Sequence, residues 1–298
     1  MSLPHDQGNQ VATGTLPHSA LIAPRLSLSS CVRAYLTRST LGANLRPDQR
    51  NNYFPASPLC GITWVLQGEA QLIRRGNEWV SEPVPTVSFA GPHTVPVVHA
   101  NPGPVQAFML ALMPQALRAM AGVNIACHVN RIVPISSVLD ASWQAMAGAV
   151  LGASDDAARV QVIEAFLEPR WRAVRQTALP RTDRYRYWVE GLALQAASSG
   201  IGKSLRQMER RIKQKAGLPL RELRSLARAE ESFLNTRTNA ASGARNYQLN
   251  WATLAADGGF ADQSHLCRET RRMSGLSPNE LKKAIQEDES FWAYRIWS

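Results

Sequence analysis

"WATLAADGGFADQSHLCRETRRMSGLSP", residues 251–278, changes character three times. An apolar run meets Gly258 and Gly259, restarts at Asp262, and turns strongly basic before Gly275 and Pro278. A glycine pair permits the positive φ that a sharp interhelical turn needs. Asp262 suits an N-cap, because its carboxylate accepts from the orphan N–H groups of the helix that follows. Leu266, Thr270 and Met273 recur at i, i+4 and i+7 and predict an inward face, with Trp251, Leu254 and Phe260 supplying the core they meet. The opposite face carries Ser264, Cys267, Arg268 and Arg271, with Gln263 beside them.

The same pattern occurs 58 residues earlier. "SLRQMERRIKQKAGLPL" from Ser204 aligns with "DQSHLCRETRRMSGLSP" from Asp262, matching Met208 to Leu266, Arg210 to Arg268, Lys213 to Arg271, Gly217 to Gly275 and Leu218 to Leu276. Upstream, "ASSGIG" lines up with "ADGGFA". Each repeat reads as a helix, a glycine turn, a capping residue (Ser204 or Asp262), a second helix and a glycine stop, which is a helix-turn-helix. The outer face of the first repeat carries Arg206, Glu209, Arg210 and Lys213. Such a face suits a major groove, where Arg binds guanine through two hydrogen bonds, Gln does the same for adenine, and Glu accepts from cytosine N4. Lys213, Lys215, Arg271 and Arg272 lie further along and suit phosphate oxygens, as does Lys203 ahead of the first of these helices. One such helix pair is an ordinary surface hairpin. Two in register, both basic outside, point to nucleic acid.

Charge agrees with this reading. The chain carries a formal +10, all five lysines lie beyond position 200, and residues 202–228 hold nine basic against two acidic side chains. A cluster this local suits a polyanion.

With 298 residues, 45% of them apolar, the chain has room for two domains with cores. Residues 1–26 open with a polar, Pro- and Gly-containing run and are expected to lack structure. No charged stretch there leads into an apolar one, and no apolar run reaches the roughly 18 residues of a membrane helix. A cytoplasmic location and no membrane partner are expected. Cys31, Cys60, Cys127 and Cys267 lie far apart with no CxxC, as reduced structural thiols would. From about Ser27, "GITWVLQGEAQLIRR" alternates around Gly68, "RRGNEW" supplies a Gly-Asn turn, and "PVPTVSFAGPHTVPVVHANPGPVQAFMLAL" is repeatedly broken by Gly and Pro. Short strands with frequent turns predict a small barrel or sandwich. Helical spacing begins after Pro134, over 136–153 and 155–176, with Ser154 or Asp155 as a cap and Val160, Ile163 and Leu167 on one face. These helices would pack on the β-region or form a dimer surface. Residues 177–183 read as a linker, everything beyond as helical, and "FWAYRIWS" as a tail that packs back on the protein.

Residues 251–278 resemble the second helix-turn-helix of AraC/XylS-type transcriptional regulators. An apolar helix, Gly-Phe at 259–260, Asp-Gln-Ser-His-Leu at 262–266, Arg268 and Gly-x-Ser-Pro at 275–278 carry the match. The first repeat resembles the family's other helix-turn-helix. "YFPASPLCGITWVLQGEAQL" and "GPHTVPVVHANPGPVQAFML" are similar to its cupin-like sensor domains. The resemblance implies an α+β multidomain chain: a cupin-like β-barrel for sensing or dimerisation with its C-terminal helices over 27–178, and an all-α DNA-binding domain over 182–298. A linker helix near Leu220 to Asn235 would join two helix-turn-helix units, and one monomer would place both recognition helices in successive major grooves. Carried over by position, the base readers are Arg206, Glu209, Arg210, Gln263, Ser264, Cys267 and Arg268. The implied partners are double-stranded DNA, a small-molecule effector whose binding residues the sequence does not identify, a second subunit in a homodimer and, for an activator, RNA polymerase. Thr270 departs from the pattern, which usually has an aromatic there. Ile212 is the better packer at the matching place, so the second unit is expected to be the looser.

Two other functions compete. A metal-dependent cupin enzyme would draw on His93, His99, Glu69 and Glu78. Metal cupins want histidines two apart on one strand with a Glu soon after, and a six-residue gap across Pro96 does not give that geometry. No metal, cofactor or catalytic residue is therefore expected. A nonspecific architectural DNA binder would have affinity set almost wholly by salt.

Overall fold

The structure, a computed structural model, describes residues 15–175, 185–198, 204–241 and 260–296. The 177–183 linker, Gly200 and Gly202 of the first turn, and Trp251 and Leu254 of the quoted stretch lie outside the described residues. What is described is α+β, with a β-rich N-terminal part and a helical C-terminal part.

The short, turn-broken segments form β1 (His18–Ile22), β2 (Val32–Ser39), β3 (Asn51–Phe54), β4 (Cys60–Gln67), β5 (Gln71–Arg75), β6 (Glu78–Pro83), β7 (Val87–Ala90), β8 (Val97–Ala100), β9 (Gln106–Leu112) and β10 (Ile132–Pro134). All their pairings are antiparallel. They make a six-stranded sheet, β1-β2-β9-β4-β7-β10, and a four-stranded sheet, β3-β8-β5-β6. The anticipated Gly-Asn turn closes β5 onto β6.

The expected closed barrel is not formed: the two sheets stay separate. At one opening, β1 and β3 are free edges, and the C-terminal helix α9 (Trp292–Ile296) packs against both. Trp292 is 1% exposed, donates through Nε1 to Asn52 Oδ1 on β3 at 2.8 Å, and lies under the Arg38 guanidinium of β2, 5.2 Å from the ring centre. Arg38 is itself buried and pairs with Glu289 at 2.7 Å. An indole and an ion pair thus occupy the place where a barrel's ladder would close. The tail packs back, as its aromatic content predicts.

Two elements depart from the sequence reading. Strand β1 lies inside the segment expected to lack structure, where the Gly- and Pro-free run His18–Ile22 extends the sheet beyond β2. Helix α1 (Pro114–Ala121) interrupts the β-region, with Pro114 in its first turn and Gly122 in the left-handed conformation at its end.

Helices α2 (Ala141–Leu151) and α3 (Asp156–Val174) follow as anticipated. Asp155, rather than Ser154, caps α3 by accepting from Ala158 N at 2.8 Å, and Ile163 and Leu167 are fully buried. Trp64 of β4 donates to the Ala147 carbonyl of α2 at 3.0 Å. The C-terminal part consists of α4 (Tyr185–Ser198), α5 (Leu205–Ala216), α6 (Leu220–Ala241), α7 (Gln263–Ser274) and α8 (Pro278–Glu287), followed by α9. Helix α6 covers the expected linker helix and packs on α4, α5 and α7. One continuous set of buried side chains runs from Trp64 and Phe89 through Leu117 and Ile125 to Trp188, Ile212 and Leu226. A smaller core gathers Leu281, Phe291 and Tyr294 on Tyr53 of β3. No described helix is long and apolar enough to cross a membrane.

Because Trp292 fills the gap between the sheets, Trp292→Ala is expected to cost about 3–5 kcal/mol. The loss should appear in the denaturant midpoint of the strand signal in circular dichroism. An unchanged strand transition would mean that the tail serves the helical part alone.

Candidate nucleic-acid interface

The basic helices of the two repeats match in length and in how they end. Helices α5 and α7 are each 12 residues long, and their first and last residues keep the 58-residue offset. Asp262 caps α7, accepting from His265 N at 2.6 Å. Ser204 holds the N-cap place of α5 but makes no side-chain cap bond, so the capping expected of it is absent. Both helices stop at a left-handed glycine: Gly217 and Gly275 have φ +80° and donate back to the Lys213 and Arg271 carbonyls at 2.8 Å. That conformation costs a residue with a Cβ about 1–2 kcal/mol. The next helix starts at once in each case, α6 at Leu220 and α8 at Pro278, the latter with a Ser277–Glu280 capping box.

The inner faces are apolar and closed. Ile212 and Ala216 of α5 are fully buried, Met208 is half-buried, and Leu266 of α7 is 2% exposed. Phe260 is buried and meets His265 edge-on at 5.4 Å. Thr270, at the place of Ile212, is half-buried and turns its hydroxyl back to the Leu266 carbonyl at 2.9 Å.

The outer faces are open. Arg206, Glu209, Arg210 and Lys213 of α5 are exposed, as are Gln263, Ser264, Arg268 and Arg271 of α7, while Cys267 is half-buried. Lys203 lies outside the described residues. Lys215 sits at the edge of its face and donates to Gln195 Oε1 at 3.3 Å. Burial holds its ammonium below the usual lysine range, and repulsion from Arg118 and Arg211 adds to the effect.

Arg272 is placed differently from the other cations. Its guanidinium donates to Ser225 Oγ at 2.7 Å, Glu222 Oε2 at 2.8 Å, Glu269 Oε2 at 3.1 Å and the Thr94 carbonyl at 3.4 Å. Ser225 also bonds Glu269. Two carboxylates therefore neutralise the charge expected at a phosphate, and the side chain ties α7 to α6 and to the β-rich part. Nothing local in the sequence marks this role, since Thr94 lies 178 positions away.

The seam between the two parts is tight around α5. A Cβ at Gly217 would come within 2.7 Å of Ile125 Cγ2. Ala56 N donates to the Met273 carbonyl at 2.9 Å, and Arg33 pairs with Glu230 at 3.1 Å. A cavity of about 450 Å³ opens along this seam, lined by Thr94, Val95 and Val129 on one side and Lys213, Glu222 and Arg272 on the other.

The histidines of the competing metal site are enclosed. His93 Nδ1 bonds the Gly91 carbonyl at 2.8 Å, and the Nε2 atoms of His93 and His99 are buried without a partner. Burial pushes both rings down to about 4. Glu69 and Glu78 are exposed, and among the described residues no group of three or more His, Cys, Asp or Glu could hold a metal. All four cysteines are free, and burial pushes the Cys31 and Cys60 thiols up.

No family model matches the chain, and no curated protein does. Among solved structures it is similar to ToxT from Vibrio cholerae, at 10% identity and a TM-score of 0.37 over 89% of this chain and 95% of that one. ToxT bound to (E)-4-(8-methylnaphthalen-1-yl)but-3-enoic acid matches at 10% identity and a TM-score of 0.41, over 95% and 100% of the two chains. Unsaturated fatty acid bound wild-type ToxT matches at 13% identity and 0.34, over 90% and 94%.

The two glycine stops should respond unequally to a methyl group. Gly275→Ala meets no atom closer than 3.9 Å and carries only the left-handed cost. Gly217→Ala adds a clash with Ile125, so its denaturation midpoint should fall further. Equal losses would mean that Ile125 moves aside freely.

Stability should also depend on pH. His93 and His99 stay neutral in the folded chain down to about 4, whereas an unfolded histidine takes its proton near 6.5. Their contribution is complete above that value and lost as pH falls from about 6.5 through 4, on the order of a few kcal/mol in total. His99→Gln should flatten the stability profile over this window, measured by denaturant titration at a series of pH values.

Proposed function

We propose that this chain is a sequence-specific, DNA-binding transcriptional regulator that presents α5 and α7 to successive major grooves. One observation carries the reading: two equal helices at a constant offset, each with a closed apolar face, an open basic face and a left-handed glycine stop. In this reading α4 with α5, and the segment before α7 with α7, are helix-turn-helix units of an AraC/XylS-type domain over 182–298. Arg206, Glu209, Arg210, Gln263, Ser264, Cys267 and Arg268 read bases. Lys203, Lys213, Lys215 and Arg271 meet phosphates, and Arg272 holds the second unit in place. The part over 27–178 senses a small effector and supports a homodimer, and RNA polymerase is the partner of an activating complex. The seam cavity suits the effector, because an occupant there touches both parts and biases how the reading helices are presented.

Selection of bound duplexes from a random pool tests this. The wild-type chain should recover a defined site, roughly 10³-fold or more above nonspecific duplex, with protection on two groove faces about 34 Å apart. Arg210→Ala and Arg268→Ala should each cost about 1–3 kcal/mol and relax preference at one base position. A pool that yields no consensus would leave the architectural binder instead.

A further inference from the structure

We propose that the β-rich part makes a DNA backbone contact of its own: Arg118, in the last turn of α1, carries the cationic track of α5 across the seam, so that one strand's phosphates meet both parts of the chain. The proposal rests on the DNA-binding reading above and deepens it.

Three observations place this contact. Helix α1 packs directly against α5, although the two lie in different parts of the chain. Arg118 is exposed, and its guanidinium makes no hydrogen bond or ion pair among the described residues, a state it shares with the exposed Arg131 and Arg175 but not with Arg25, Arg46 and Arg172, which pair with Glu164, Asp48 and Glu168. Lys215, facing Arg118 across the seam, has the neutral Gln195 as its hydrogen-bond partner. Arg118 lies close enough to repel its charge, as does Arg211 of α5 itself. Like charges left together on a surface are stabilised by a polyanion, whose condensed counterions are released as the cations replace them. The cluster borders the flank of α5 between its buried and open faces, where a groove's rim of phosphates runs beside an inserted helix. A phosphate contact carries no base preference, and that separates Arg118 from Arg210. The other use for a cation at this position is to offset the dipole at the end of α1, which would leave DNA affinity unmoved.

The test uses the full chain, a duplex recovered by selection and a mixed-sequence duplex, titrated from about 50 to 200 mM salt. Arg118→Ala should weaken both duplexes by the same factor, roughly three- to tenfold at the lower salt, and make the salt slope shallower by about one. Arg118→Lys should keep the slope, and Arg46→Ala, which removes a cation away from α5, should change neither quantity. If Arg118→Ala leaves affinity and slope intact while Arg210→Ala weakens the selected duplex, the inference fails and the DNA-binding reading stands. A loss confined to the selected duplex also overturns it, because a backbone contact cannot discriminate. If the wild-type chain binds neither duplex, both fall together.

Discussion

The closed inner face of α5 is the constraint on which the rest depends. Ile212 and Ala216 have no exposure to water, and burying an isoleucine is worth about 1.5–3 kcal/mol. At 3.6 residues per turn, a helix that hides 208, 212 and 216 must present 206, 210 and 213 on the other side. The basic face is therefore aimed by packing rather than by charge. Gly217 extends the same constraint, since the approach of Ile125 leaves no room for a methyl group where the helix stops.

The second repeat is fixed by different means. Its counterpart of Ile212 is Thr270, whose hydroxyl returns to its own helix. The weight of holding α7 falls on Leu266 and Phe260, on Arg272 with its two carboxylates, and on the small core around Phe291 and Tyr294. A half-buried charge held by two acids is specific in geometry but less robust than apolar packing, because losing either partner leaves the others partly desolvated and unpaired. The tail compounds the difference. Helix α9 plugs the opening between the sheets, so the second unit and the β-rich part share their stability, while the first unit is joined to the main core through α1 and Ile125.

Much of this was legible in the sequence, for a physical reason: caps, glycine stops, helical periodicity and strand alternation all act within a few residues. Asp262, Asp155, Gly217 and Gly275 could be read because each does its work on its own helix end. What could not be read depends on partners far along the chain. At the opening between β1 and β3, Trp292 reaches Asn52 across 240 positions, and no strand pattern announces that plug. Strand β1 needs the edge of β2 to exist at all. Arg272 looked like one more outward cation until Glu222, Ser225 and Thr94 surrounded it. Helix α1 did carry local signals, Pro114 at its start and Gly122 after its end, but they sit among β-region glycines and prolines that read as turns.

Lys213 joins the two halves of the functional reading. It is exposed on the outer face of α5 and also lines the seam cavity, where Arg272 is already committed to Glu222, Glu269 and Ser225. Of the two cations at that cavity, Lys213 is then the one with capacity to spare. An anionic occupant of the seam would draw its ammonium inward, and a phosphate in the groove would draw it outward. The same charge cannot serve both at full strength, so the two events must be coupled through it, and by linkage the coupling acts equally in both directions. On the proposed reading, a single lysine at one end of a helix aimed by apolar packing is what would make an effector's presence felt at the DNA face.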